Sequence, residues 1–225
     1  MTVVSVKTGG GTEGDPLFRR VELSDGTLFS LKTVYLPPEY DVEMLFVPGR
    51  DLSGAEVESL HFAASCYRAE RSALRLVARA EQCVSGLSAK LQARSFTASC
   101  VQAVLNRLCS LEVVSDERFA LRWFRARLGR SGGPAPSPRG LVVALCRRGI
   151  PRETAQKALR SLLTPDAERL LVKRYLAGQG KTMPGEAPAE GWKGDSTRDR
   201  FLRHALRHAG FSPAILDAMQ EEGEL

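Results

Sequence analysis

Three stretches of this chain share one cadence: Lys90-Leu-Gln-Ala-Arg-Ser-Phe-Thr97, Ala144-Leu-Cys-Arg-Arg-Gly-Ile-Pro151 and Ala205-Leu-Arg-His-Ala-Gly-Phe-Ser212. Leu91, Leu145 and Leu206 align. Four residues on stand Ser95, Gly149 and Gly210, followed at once by Phe96, Ile150 and Phe211. Apolar residues then recur at helical spacing: Cys100, Val101 and Val104; Ala155, Ala158 and Leu159; Ile215, Leu216 and Met219. Each copy reads as a helix end, a tight turn and a new helix. Gly149 and Gly210 sit where a left-handed residue closes a helix, and the apolar residue after it packs back on the last turn. Pro151 and Ser212-Pro213 suit helix starts, because the first helical position has no need of an N–H donor. Ser95 is the exception. A side chain there strains a left-handed turn by roughly 1–2 kcal/mol, or else the turn differs.

Working outward, a further helix is expected ahead of the second and third copies: Asp116 to Leu128 capped by Ser115, and Pro165 to Ala177 capped by Thr164. Ahead of the first, Ser53-Gly54-Ala55-Glu56 has capping-box spacing, and a long Ala/Arg/Leu pattern follows to about Gln82. Its Arg68, Arg71, Arg75 and Arg79 fall three or four apart, a basic stripe beside the apolar one. The expected fold is therefore mainly α, with three tandem three-helix repeats forming a curved array: 51–114, 115–163 and 164–225.

Residues 1–50 are expected to be a small β-rich segment. Val3 to Val6 alternate, and Phe18–Leu23 and Leu28–Leu36 flank Ser24-Asp25-Gly26-Thr27, a hairpin signal. Pro37-Pro38 and Pro48-Gly49 close it. Two Gly/Pro-rich stretches, 129–140 and 178–196, read as flexible loops within repeats two and three.

The bulk numbers fit a globular helical protein. Hydrophobic residues make up 43% and aromatics only 7%, so the core must rest on Leu, Val and Ala, and Ala, Leu and Arg are strong helix formers. No basic, apolar leader opens the chain, and no run approaches the ~20 apolar residues of a membrane span. Cys66, Cys83, Cys100, Cys109 and Cys146 form no CxxC pair and lie within apolar patterns, as reduced core cysteines do. A cytoplasmic protein without membrane contact is expected.

Motifs for catalysis or cofactors are wanting. Gly9 to Gly14 formally matches GxGxxG, but Asp15-Pro16 and a strand follow where the dinucleotide motif needs a helix N-terminus. His204 and His208 could share a helix face. A metal site needs further ligands, and the only other histidine is His61. There is no P-loop and no GxSxG, and carboxylates are sparse in the basic region. No cofactor, no metal and no enzymatic activity are expected.

Charge is the positive signal. The net +6 is uneven: residues 1–50 carry five Lys/Arg against seven Asp/Glu, whereas 118–174 carry fourteen against three. Such a field attracts polyanions. Within it Arg118, Arg122 and Arg125 fall at i, i+4 and i+7, beside an apolar strip of Phe119, Ala120, Trp123 and Phe124. Arg127, Arg130 and Arg139 continue the basic run, and Arg147, Arg148, Arg152, Lys157 and Arg160 surround the next turn. Arginine forks suit phosphates and carboxylates alike. The candidate binding residues are Arg118, Arg122, Arg125, Arg127, Arg139, Arg147, Arg148, Arg152 and Lys157. By its spacing Trp123 reads as core rather than as a base-stacking platform.

The turn repeat, together with Ser115-Asp116-Glu117-Arg118-Phe119-Ala120, resembles the RecX family over about residues 60–220. That family's second repeat opens with an Asp, a basic residue and Phe/Tyr-Ala, as Asp116, Arg118, Phe119 and Ala120 do. Its helices end in Leu-x-x-Lys/Arg-Gly-Phe/Ile, matched by Leu91 to Phe96 (with Ser95 for Gly) and Leu145 to Ile150, and imperfectly by Leu206 to Phe211, where Ala209 stands for Lys/Arg. The resemblance implies a monomeric regulator of the RecA recombinase that lodges in RecA filaments on single-stranded DNA. It would suppress filament growth, strand exchange, ATP hydrolysis and co-protease activity, and so act in recombination, DNA repair and the SOS response. The basic residues alone say only polyanion or acidic partner. An independent protein binding single- or double-stranded DNA through its basic face is the alternative. The scarcity of Asn and Gln in the helices of repeats two and three favours backbone or protein contact over base reading.

Overall fold

The computed structural model describes residues 1–9, 15–130, 134–179 and 195–225, with side chains in the last stretch from Arg200 onward. The chain divides into two compact units, Met1–Ser115 and Asp116–Leu225.

The first unit is organised by a hairpin. Strands β1 (Val3–Thr8), β2 (Phe18–Leu23) and β3 (Leu28–Lys32) form an antiparallel sheet in that order, with Val21 opposite Phe29. The β2–β3 connection depends on Gly26 at φ +81°. The Gly26 N–H donates to the Leu23 carbonyl and the Leu23 N–H to the Thr27 carbonyl, both at 2.9 Å. This is the turn-plus-bulge geometry in which a left-handed residue re-aligns the strands. Asp25 accepts from the Thr27 N–H at 2.9 Å. Past Lys32 the chain leaves the sheet in a 3-10 turn at Thr33–Tyr35, shorter than the strand expected to reach Leu36. A short helix α1 (Val42–Leu45), capped by Asp41, also departs from the β-rich reading of this segment.

Helix α2 (Gly54–Arg79) begins with the expected capping box. Ser53 Oγ accepts from the Glu56 N–H at 3.3 Å, and Glu56 accepts from the Ser53 N–H at 2.8 Å. It stops at Ala80, whose extended backbone ends the helix short of Gln82. Helices α3 (Val84–Gln92) and α4 (Ala98–Ser110) follow. One core joins the sheet (Val3, Val21, Leu23, Phe29, Leu31) to Leu60, Ala63, Cys66 and Ala69 of α2 and to Leu87, Leu91, Val101 and Val104 of α3 and α4.

The second unit comprises α5 (Asp116–Leu128), α6 (Pro138–Cys146), α7 (Arg152–Leu162), α8 (Pro165–Gln179), α9 (Asp195–His208) and α10 (Pro213–Glu221). Helix α7 packs on α5 and α6, and α10 on α8. Phe124, Leu141, Leu145, Leu206 and Leu216 are fully buried. Buried Glu168 accepts from the Ser212 N–H at 2.6 Å, so a carboxylate sits at the positive end of α10.

All three sequence-marked turns have one geometry. Ser95, Gly149 and Gly210 lie at φ +64°, +83° and +95°. Next to them, the N–H of Phe96, Ile150 and Phe211 donates to the carbonyl of Leu91, Leu145 and Leu206, at 3.5, 3.3 and 3.2 Å. These are Schellman caps, and Ser95 adopts the left-handed conformation despite its side chain. Glu112, at φ +54°, closes α4 likewise, which nothing in its residue type signals.

Residues 129, 130 and 134–137 are non-helical, as the loop reading of 129–140 expects, but its last three residues belong to α6. Ser137 accepts from the Gly140 N–H at 3.1 Å and Pro138 occupies the first turn of α6, so Arg139 is helical. Ala135 is buried, and its N–H donates to the Arg174 carbonyl at 3.3 Å. Serine and proline are common in loops, but they are also the residues that start helices, and composition alone does not separate the two. Residues 131–133 lie outside the described residues. In the other expected loop, 178–179 belong to α8 and 195–196 to α9, and 180–194 lie outside the described residues. Most of the Gly9–Gly14 motif lies outside them too.

Candidate functional site

Helix α6 stands between two concavities of the second unit. Its nine residues put Val142 and Leu145 inward, while Arg147 and Arg148 follow directly on its last turn, where Gly149 reverses the chain. On one side lies a groove of about 960 Å³. Val142, Val143, Ile150 and Leu159 are among its apolar lining, and Arg139, Arg147, Arg152 and Arg160 line it as well. On the other side is a notch of about 300 Å³. Trp123 and Arg127 of α5 face Arg147 and Arg148 across it, with Gly140 and Ala144 of α6 between them. Among the described residues, no acid lines either concavity.

The notch has internal order. The Arg127 guanidinium carbon lies 3.6 Å from the centroid of the Trp123 ring, the spacing of stacked planes, and that of Arg148 lies at 5.8 Å. Trp123 meets Phe124 edge-on at 5.4 Å between centroids. Phe124 is fully buried, while Trp123 is only partly so. The core reading of Trp123 is thus half of its role: the indole also forms a wall of the notch. Burial, and then repulsion from Arg148 and Arg130, hold the Arg127 pKa below its ordinary value. A guanidinium remains charged at neutral pH nonetheless.

The nine candidate residues do not form one stripe. Arg127, Arg147 and Arg148 converge on the notch, and Arg139, Arg147 and Arg152 on the groove, so Arg147 serves both. Arg118, Arg122 and Arg125 are exposed on α5 and line neither. Lys157 pairs with Glu117 at 3.1 Å, both largely exposed. Sequence reasoning left Arg160 and Trp123 out of the candidate set. Arg160 had a signal, its place eight residues after Arg152 on the same helix. Part of the basic excess is answered locally: Arg169 makes a two-pronged pair with Glu222 at 2.5 and 2.7 Å, and Lys173 meets Glu224 at 2.9 Å.

The His204 and His208 rings lie 4.5 Å apart on α9, but no group of three or more potential ligands occurs among the described residues. No described helix is long and apolar enough to cross a membrane. The first unit's polar centre is structural: Glu70, buried on α2, accepts from Lys32 Nζ at 2.7 Å and from the Tyr35 hydroxyl at 2.5 Å, with Arg107 Nε 3.7 Å away.

Fold and site together describe a mainly helical protein with a small N-terminal sheet and an arginine-lined surface. No family model matches the chain. Curated relatives do. The chain is 33% identical over 165 residues to the regulatory protein RecX of Treponema pallidum subsp. pallidum, covering 72% of this chain and 91% of that one. It is 33% identical over 151 residues to the regulatory protein RecX of Chromohalobacter salexigens, covering 61% and 90%. The fold is similar to a crystal structure of regulatory protein RecX with a TM-score of 0.64 at 15% identity, covering 98% of both chains. It is also similar to that of RecX from Lactobacillus salivarius, with a TM-score of 0.50 at 16% identity, covering 71% of this chain and 97% of that one. The chain belongs to the RecX family.

Proposed function

We propose that this protein regulates the RecA recombinase without catalysis of its own. It binds the RecA filament on single-stranded DNA and suppresses filament growth, strand exchange, ATP hydrolysis and co-protease activity, and so acts in recombination, repair and the SOS response in the cytoplasm. Family membership supports the regulatory role. The observation that carries the binding mode is the pair of arginine-lined concavities flanking α6, which no acid lines among the described residues. A filament on DNA presents phosphates and acidic side chains, and guanidinium forks grip both. Arg127, Arg139, Arg147, Arg148 and Arg152 are the primary contacts, with Arg118, Arg122, Arg125 and Lys157 an outer basic field that speeds encounter.

In this reading the helices act as three tandem three-helix units, 51–114, 115–163 and 164–225, behind the 1–50 segment, and a monomer suffices. The recurrence of one cap geometry at Ser95, Gly149 and Gly210 supports the grouping.

The test is the single-stranded-DNA-dependent ATPase of a cognate RecA with this protein added below stoichiometric amounts, beside titrations on bare DNA at two salt concentrations. Inhibition where bare-DNA binding is negligible is the expected result. Inhibition that appears only as free DNA saturates, and fades with salt, would replace this reading with that of an independent DNA-binding protein.

A further inference from the structure

We infer that the Trp123 notch is a subsite for one nucleotide of single-stranded nucleic acid: its base stacks on the Arg127 guanidinium and its phosphate is held by Arg147 and Arg148. The inference rests on the binding surface proposed above and gives part of it a specific ligand chemistry.

Three observations lead there. Arg127 lies 3.6 Å over the Trp123 ring, so its planar cation is already seated on an aromatic base. A guanidinium fixed in this way presents a flat outer surface, and bases stack on such planes as they do on aromatic rings. Two further guanidiniums, Arg147 and Arg148, line the same notch, and among the described residues no acid lines it. The three guanidiniums are like charges in one notch, and Arg127, whose pKa is lowered by burial and then by repulsion from Arg148 and Arg130, gains from the arrival of an anion. Finally, Gly140 and Ala144, one turn apart on α6, keep the wall low and leave about 300 Å³, enough to admit a planar ring. A peptide carboxylate could meet the arginines, but an acidic side chain has no ring to spread over the guanidinium. The indole–guanidinium pair therefore favours the nucleotide.

The chain has two tryptophans, Trp123 and Trp192, so Trp192→Phe leaves Trp123 as the reporter. The full-length variant is titrated with oligothymidylate, with an abasic oligomer of equal length and charge, and with poly-glutamate. Oligothymidylate is expected to change Trp123 emission and to bind about tenfold more tightly than the abasic oligomer, the lower part of the range for one stacked base. Arg127→Lys keeps the charge but not the plane, and is expected to erase that tenfold difference while circular dichroism stays unchanged. Arg148→Ala is expected to weaken both oligomers alike. Equal binding of the two oligomers to the parent, or a base preference that survives Arg127→Lys, would overturn the subsite. Poly-glutamate changing the emission as oligothymidylate does would overturn it too. Inhibition of the RecA ATPase is measured on the same samples: inhibition without base preference removes the nucleotide subsite alone, whereas absence of inhibition removes the regulatory reading itself.

Discussion

Replacing the three left-handed cap residues one at a time should move stability in opposite directions, by amounts the structure sets. Ser95, Gly149 and Gly210 share one backbone geometry at φ +64°, +83° and +95°, yet only the first carries a side chain. A non-glycine residue in that region costs roughly 1–2 kcal/mol. Glycine, in turn, gives the unfolded chain extra freedom worth about 0.4–1 kcal/mol. Ser95→Gly should therefore stabilise the first unit by about 0.5–1 kcal/mol, the strain relieved less the entropy returned. Gly149→Ala should cost the second unit about 1 kcal/mol by the same balance reversed. Gly210→Ala should cost more. A Cβ there would stand 3.2 Å from the backbone nitrogen of Arg139, whose N–H donates to the Ala209 carbonyl at 3.0 Å. Backbone cannot swing aside as a side chain can, so that hydrogen bond is weakened as well, bringing the total to about 2 kcal/mol. Urea unfolding in a Trp192→Phe background, followed by circular dichroism and Trp123 emission, reads these changes, each fitted to its own unit because two compact units need not melt together. From least to most stable relative to the parent, the expected order is Gly210→Ala, Gly149→Ala, Ser95→Gly. A neutral Gly210→Ala, or a Ser95→Gly that destabilises, would refute it.

Removing the buried carboxylate of Glu70 by Glu70→Ala should cost about 3–5 kcal/mol, because Lys32 and Arg107 would keep their charges without it; a urea midpoint close to the parent's would contradict that. Stability should be flat between these limits and fall at the pH extremes. Burial works against charge on Asp15, but hydrogen bonds from Lys32 and the Leu17 N–H prevail and hold its pKa below 3.8, so its contribution is present above that pH and lost as pH falls through the lower folded value. Burial likewise opposes charge on Lys32, but Glu70 and Asp15 hold its pKa above 10.5, and burial with the Glu70 bond raises that of Tyr35 above 10.0. Their contributions are present below those values and lost as pH rises through the folded ones. Melting temperatures from pH 3 to pH 12 check both limbs, and Lys32→Met should flatten part of the alkaline one. A thiol reagent on the native protein should modify Cys146 and Cys109 before Cys66, Cys83 and Cys100, which are buried, with the Cys66 thiol pKa pushed up by that burial; mass spectrometry of partly labelled protein would show the order, and early loss of Cys66 would contradict the packing.

What the sequence determined by itself is what depends on a few neighbouring residues. The capping box at Ser53 and Glu56, the hairpin glycine at Gly26 and the turns at Gly149 and Gly210 each arise within about five residues, where hydrogen bonds and backbone sterics act locally. The apolar period that buried Leu91, Leu145 and Leu206 is equally local. Where local signals were ambiguous the reading faltered: Ser137-Pro138 served a helix start inside an expected loop, and Glu112 took a left-handed conformation unannounced. Tertiary structure alone decided the rest. Arg127 and Arg148 stand twenty-one positions apart in the chain yet flank one indole, and Glu70 gathers Lys32, Tyr35 and Arg107 from three other elements. Charge patterning could mark 118–174 as basic. It could not separate the arginines that converge on the notch from those left on the open face of α5, because that depends on how α6 packs between its neighbours, a matter of side-chain volume and fit that no one-dimensional period records.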